Sequence, residues 1–263
     1  MVRADHDVPV IDYNGDTITL STKATNQDFL KDVTATDEKD GDVTKSLVVE
    51  SVSKMAPDGT RTITYAAFDS DNHVTTSERT LVYKDYSPPH FALSKPLIFA
   101  VNNTDITANL TVKDRIDGDL TKRIKYIADD TIGSEEGKYL VEFQVTNSAG
   151  QTTFLPVTVE FKYPSYQQNL LPNIELTNYL IYLKKGAKFD PKEYIKEVLL
   201  DGEKYSLRKD QFISSKNNQF SINKIKIECD VKSEKTGVYD VEYSMTSEEG
   251  FHGATKLIVV VEE

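Results

Sequence analysis

The carboxylates of this chain cluster in two short runs that share one pattern. Asp37-Glu38-Lys39-Asp40-Gly41-Asp42-Val43-Thr44-Lys45 returns as Asp114-Arg115-Ile116-Asp117-Gly118-Asp119-Leu120-Thr121-Lys122. Three hard oxygen donors in one loop are the beginning of a calcium site. The EF-hand template does not fit them. With Gly41 in the template's glycine position, its first and last ligand positions fall on Thr36 and Leu47. Little loop is left to wrap a cation, because Val43-Thr44 and Leu120-Thr121 resume an apolar-polar strand at once. The competing reading is a strand-ending turn, in which aspartates cap backbone N–H groups and Gly41 and Gly118 take a positive φ. A turn is the expectation for Asp37, Asp40, Asp42, Asp114, Asp117 and Asp119, with calcium as the alternative.

Other residue types capable of chemistry are dispersed. His6, His73, His90 and His252 have no metal-ligand spacing and no Ser or Cys in a nucleophile motif beside them. They read as solvated side chains. Cys229 alternates with Ile225 and Ile227, which predicts a small buried hydrophobe. Lys184-Lys185 is too short a basic run to mark a partner. Sugar-binding faces commonly use Trp, and the chain has none. Only Tyr163, Tyr166, Tyr179 and Tyr182 offer an aromatic platform. No catalytic residue, cofactor or enzymatic activity is expected.

The elements that carry these residues are repeated. After each Asp-Gly-Asp run comes a Gly, then an aromatic six positions later, then a polar turn. Gly59…Tyr65…Asp69-Ser70-Asp71-Asn72 matches Gly137…Phe143…Asn147-Ser148-Ala149-Gly150, and Gly237…Tyr243…Ser247-Glu248-Glu249-Gly250 is a third copy. Tyr139, Val141, Phe143 and Val145 alternate with Leu140, Glu142, Gln144 and Thr146, as do Tyr239, Val241, Tyr243 and Met245 with Asp240, Glu242, Ser244 and Thr246. That is the period of a strand with one buried face. Further strands are expected at Thr17–Leu20, Leu47–Val52, Arg79–Tyr83, Asp105–Val112, Phe154–Phe161 and Leu257–Val261, and a short helix or turn over Pro191–Leu200.

Many short strands with frequent turn residues predict an all-β chain of three tandem immunoglobulin-like antiparallel β-sandwich domains in an extended row. In such sandwiches a Tyr near the start of the penultimate strand hydrogen-bonds back to the preceding corner. Gly137-x-Tyr139 and Gly237-x-Tyr239 have that spacing, whereas the first copy has Arg61 in place of the Tyr. Gly137, Tyr139, Gly237 and Tyr239 are therefore read as structural. Asp85-Tyr86-Ser87-Pro88-Pro89 and the stretch from Tyr163-Pro164-Ser165 to Leu171-Pro172 separate the copies, because proline is excluded from central strands. The expected domains are 1–86, 87–163 and a divergent 164–263.

Composition narrows the function class. The net charge of −11 disfavours a nucleic-acid partner. Hydrophobic content of 38% suits several small sandwiches better than one large core. Cys229 stands alone, so the fold relies on packing without an intrachain disulfide. No run approaches the length of a membrane helix, and Met1–Asp7 lacks a signal's apolar stretch. Membrane insertion is not expected, and any signal or anchor is expected outside this sequence.

The order of motifs, Asp-x-x-Asp-Gly-Asp-[Val/Leu]-Thr, Gly-x-Tyr and a terminal polar turn, resembles bacterial immunoglobulin-like repeats. These occur in Gram-positive surface proteins and in a pesticidal crystal protein, and are similar in style to hyaline-repeat modules. The resemblance covers most of residues 8–163. It extends more weakly over 172–263, where Leu200-Asp201-Gly202-Glu203 is the nearest remnant of the loop. It implies a non-catalytic spacer or adhesion module, secreted or on the cell surface; a monomer is expected, with a host or cell-wall protein or glycan as its partner. The alternative is a carbohydrate-binding accessory module of a secreted glycan-active enzyme.

Overall fold

A computed structural model describes residues 8–164 and 170–263. His6 and Tyr166 lie outside the described residues, as does the middle of the second linker.

The first repeat runs through β1 (Val10–Tyr13), β2 (Thr17–Leu20), a single helical turn α1 (Asn26–Phe29), β3 (Val33–Asp37), β4 (Gly41–Asp42), β5 (Val48–Val52), β6 (Arg61–Phe68) and β7 (Val74–Tyr83). Thr25 and Asp28 close a capping box on α1, so the short turn enters with its first N–H groups satisfied. The strands form two sheets, β1-β3-β4 and β2-β7-β6-β5. Phe29, Val33, Ala35, Leu47, Ile63, Tyr65, Ala67 and Leu81 make their common core. The buried Tyr65 hydroxyl donates to the Phe29 carbonyl at 2.9 Å, which removes the cost of its desolvation.

The second repeat supplies β8 (His90–Leu93), β9 (Ile98–Ala100), β10 (Leu110–Asp114), β11 (Gly118–Asp119), β12 (Lys125–Ala128), β13 (Gly137–Thr146) and β14 (Thr152–Lys162), ordered as β11-β10-β8 and β12-β13-β14-β9. The third has β15 (Asn173–Leu176), β16 (Leu180–Lys184), β17 (Ile195–Leu200), β18 (Glu203–Arg208), β19 (Gln211–Ser214), β20 (Gln219–Ser221), β21 (Lys226–Cys229), β22 (Gly237–Thr246) and β23 (His252–Glu262). Their sheets are β15-β17-β18-β19-β20 and β16-β23-β22-β21. The chain is all-β, and each sheet draws its strands from one repeat.

One four-stranded order therefore occurs three times: an early strand, the last strand, the penultimate strand and an edge. The early strand is parallel to the last one, with Thr17 beside Thr80, Ile98 beside Glu160 and Leu180 beside Ile258. The sheets are otherwise antiparallel, as expected, and this one parallel pairing in each repeat has a local cause. β1 and β15 pair antiparallel in one sheet, after which the chain kinks and crosses to the other sheet still travelling the same way. Gly15, at φ +75°, permits that kink in the first repeat.

Other expectations shift at their ends. Pro191–Tyr194 is a 3-10 turn capped by Asp190, and β17 follows it in place of a helix. The strand expected from Asp105 begins only at Leu110, because Asp105 Oδ1 accepts from the Thr107 N–H and hydroxyl and holds a turn there.

The described residues divide into two compact units. The first is Met1–Pro89 with Lys113–Leu120 and Thr146–Thr153; the second is His90–Val112, Thr121–Val145 and Phe154–Glu263. In the first unit the Met55 N–H donates to the Ala149 carbonyl at 2.7 Å. In the second, Ile174, Leu176, Val198, Phe212, Tyr243 and Val259 belong to one buried cluster.

Candidate functional site

The Asp-Gly-Asp loops share one plan in their first two aspartates. Asp37 Oδ1 accepts from the backbone N–H of Lys39 and Asp40 at 2.9 Å each, and Asp114 Oδ1 from Ile116 and Asp117 at 2.8 Å each. The second aspartate reaches outward to the polar turn. Asp40 takes the Ser70 N–H at 2.7 Å and the Ser70 hydroxyl at 2.9 Å, and Asp117 takes both groups of Ser148 at 2.6 Å. Gly41 and Gly118, at φ +72° and +75°, supply the left-handed residue between the carboxylates. Asp42 Oδ1 then caps the Thr44 N–H, and Asp119 pairs with Lys113 at 2.8 Å. The following threonine closes each loop, Thr44 Oγ1 accepting from Ala35 N–H and Thr121 Oγ1 from Val112 N–H.

Electrostatics follow from these donors. The Ser70 backbone N–H, then its hydroxyl, holds the Asp40 carboxyl below its ordinary value. The Thr44 hydroxyl and N–H do the same for Asp42. The six loop aspartates thus spend oxygens on N–H, hydroxyl and ammonium donors. Among the described residues no group of three or more His, Cys, Asp or Glu side chains is placed to hold a metal ion.

Sequence reasoning missed one participant in this construction. Asn147, in the second repeat's polar turn, donates to Asp114 Oδ2 at 3.1 Å and to the Tyr86 hydroxyl at 3.2 Å. The matching residue of the first repeat is Asp69, whose carboxylate takes the His73 N–H and ring Nδ1 at 2.8 and 2.6 Å. Asp37 Oδ2 is left buried without a partner.

Tyr139 donates to the Glu135 carbonyl at 3.1 Å and Tyr239 to the Lys235 carbonyl at 2.9 Å, each reaching back four residues. Their rings lie over Gly137 and Gly237. Arg61, at the same position of the first repeat, sends its guanidinium to the carbonyls of Ser53 and Val52 and to the Tyr83 hydroxyl.

The aromatic platform is largely occupied. Tyr182 stacks on His90 with ring centres 4.0 Å apart, and its hydroxyl accepts from the Phe91 N–H. Burial pushes its phenol up to about 12. Tyr179 packs against the third repeat's core, and Tyr163 alone of the described three is exposed. The histidines are partly engaged too, His73 with Asp69, His90 with Glu262 at 3.2 Å, and His252 with Thr246. Cys229 is exposed, contrary to its alternation with Ile225 and Ile227. It is the last residue of the edge strand β21.

A groove of about 240 Å³ lies in the second unit, floored by Leu97, Ile98 and Ile258 and rimmed by Lys138, Glu160 and Lys256. Among the described residues no helix is long and apolar enough to cross a membrane.

No family model matches the chain. An uncharacterized 81.3 kDa protein of Acholeplasma phage L2 is 34% identical over 107 residues, 38% of this chain and 14% of that protein. The chain thus spans about a seventh of that relative's length. Among solved structures, a Clostridium perfringens ZmpB fragment containing CBM51-2 with GlcNAc and INT domains aligns over 56% of this chain and 26% of its own, at 17% identity and TM-score 0.24. The protocadherin GammaB4 extracellular domain aligns over 98% and 51%, at 9% identity and TM-score 0.22. Likeness at that level says nothing of ligand or role.

Proposed function

We propose that the chain is a non-catalytic spacer and adhesion module of a bacterial cell-surface or secreted protein, made of three repeats that fold separately. The observation that carries this reading is the consumption of the loop carboxylates. Asp40 on Ser70 and Asp117 on Ser148 tie each Asp-Gly-Asp loop to the polar turn of its own repeat. The residues best suited to chemistry are thereby spent on holding loops, in the same way twice. The recurring four-stranded order supports the same view, since repetition of one sandwich suits distance and surface. Carbohydrate binding through Tyr179 and Tyr182 is disfavoured because both rings are already packed.

Stretching single molecules of the whole chain tests the reading. A spacer of three separate repeats unfolds in three steps, and a repeat of the second one's size releases on the order of 250 Å of chain. One step, or two, contradicts it.

A further inference from the structure

The three repeats serve as controls for one another, and one surface departs from the pattern. On the solvent side of each four-stranded sheet, equivalent positions can be compared through strand pairing and the Gly-led penultimate strand. In the second repeat Ile127, opposite Glu142 on β12, is 60% exposed, Leu140 on β13 is 81% exposed and Phe154 on β14 is 53% exposed. Pro156 on β14 is exposed beside them. The first repeat has Ser51, Thr62, Thr76 and Glu78 at these places, and the third has Glu228, Asp240, Ala254 and Lys256. At four positions out of four the second repeat shows water a larger or more apolar side chain. The exposed apolar side chains of this sheet in the first repeat, Val48, Phe68 and Val74, sit towards its hairpin end, with Val48 opposite Ala66 and Phe68 opposite Val74.

Folding does not need these side chains, because the core lies on the other face, with Val141, Phe143, Val145, Leu155, Val157 and Val159. A clustered apolar face of this kind marks an interaction site. The groove continues it, since Lys138, Thr158 and Glu160 belong to the same side of β13 and β14. We infer that the solvent face of β12-β13-β14 is a protein-docking surface, and that its occupant is an extended segment of another protein carrying apolar side chains between carboxylates.

Charge selects that occupant. Lys125, opposite Gln144, and Lys138 are exposed on this face, with Glu142 between them and Lys162 paired to Glu160 at 3.2 Å. The face carries three lysines against Glu142 and Glu160, an excess of one positive charge in a chain of net charge −11, and the Lys256 ammonium across the groove is paired to Asp240 at 2.8 Å. A second copy would bring the same lysines and the same excess of negative charge, so electrostatics oppose self-association here. Docking by strand addition is also disfavoured at Pro156. β9 pairs only with Glu160–Lys162, so β14 is an edge at Pro156, and proline blunts an edge. The segment lies across the face, with an apolar side chain in the groove.

This inference rests on the module reading above, and its test is separate from that reading's. The whole chain is titrated with a fluorescent nine-residue peptide alternating aspartate and leucine, and with lysine–leucine and aspartate–serine controls. Saturable binding of the first is expected, with Leu140→Ser plus Phe154→Ser weakening it about tenfold and Lys138→Glu about threefold. Circular dichroism checks that the variants remain folded. Absence of saturable binding, equal binding of the lysine–leucine peptide, or indifference to these substitutions overturns the inference. So does a concentration-dependent dimer abolished by the double substitution, which assigns the face to a second copy. Failure here with three unfolding steps in the stretched chain removes the docking face and leaves the module reading standing.

Discussion

Asn147 donates its side-chain amide to Asp114 Oδ2, and the corresponding pair of the first repeat, Asp69 and Asp37, has no donor to match it. A buried acceptor without a partner retains its desolvation penalty. Exchanging the residues should exchange the stabilities. Asp69→Asn supplies the missing N–H to Asp37 and should raise the melting temperature, while Asn147→Asp should lower it. Thermal melts of the two single variants at neutral pH check this. A fall in melting temperature for Asp69→Asn would show that the His73 contact outweighs the orphaned oxygen.

The grip of Asp40 on Ser70 gives the first repeat an acid-sensitive clasp. Its folded carboxyl lies below the ordinary 3.8, so its contribution is complete above that value and is lost as pH falls below it. Ser70→Ala removes the hydroxyl donor and should destabilise the protein near neutral pH. The difference from wild type should shrink between neutral pH and an acidic pH below the ordinary 3.8, as the carboxylate becomes protonated. Paired melts at the two pH values measure it, and a difference independent of pH would assign the effect to packing.

The corner hydrogen bonds of Tyr139 and Tyr239 should each contribute about 0.5–1.5 kcal/mol. Tyr139→Phe and Tyr239→Phe keep the ring over the glycine and delete only the bond to the Glu135 or Lys235 carbonyl. Urea denaturation gives the cost. No loss at either position would mean that the ring, and not the hydroxyl, holds the corner.

How much could be read from residues alone depended on which side of a strand carried the signal. Val141, Phe143 and Val145 announce β13 because an inward face must be apolar at every second position, and the same holds for β22. The paired glycines and aspartates announce the loops because few residues tolerate a left-handed turn. Pairing direction is not written that way. The parallel partnership of β2 with β7 depends on a chain crossing between sheets, which periodicity does not record. β18 does alternate, with Tyr205 and Leu207 between Lys204, Ser206 and Arg208, whereas β19 and β20, at four and three residues, are too short to establish a period. Cys229 misled because alternation gives the face of a strand but not whether that face is covered at the strand's end. Leu140 lay on the outward face by alternation, and its significance emerged only beside Thr62 and Asp240.

The repeat, and not the compact unit, is proposed as the element that folds. The distinction is sharpest for the second repeat, whose Lys113–Leu120 and Thr146–Thr153 group with the first unit while its other strands group with the second. Residues 87–163 produced alone provide the most direct measurement, by amide-dispersed NMR spectra and a cooperative thermal melt. A folded β domain is expected, with the Ser148 N–H protected from exchange by Asp117. An unfolded chain, or a fold recovered only when residues 1–86 are attached, would contradict it.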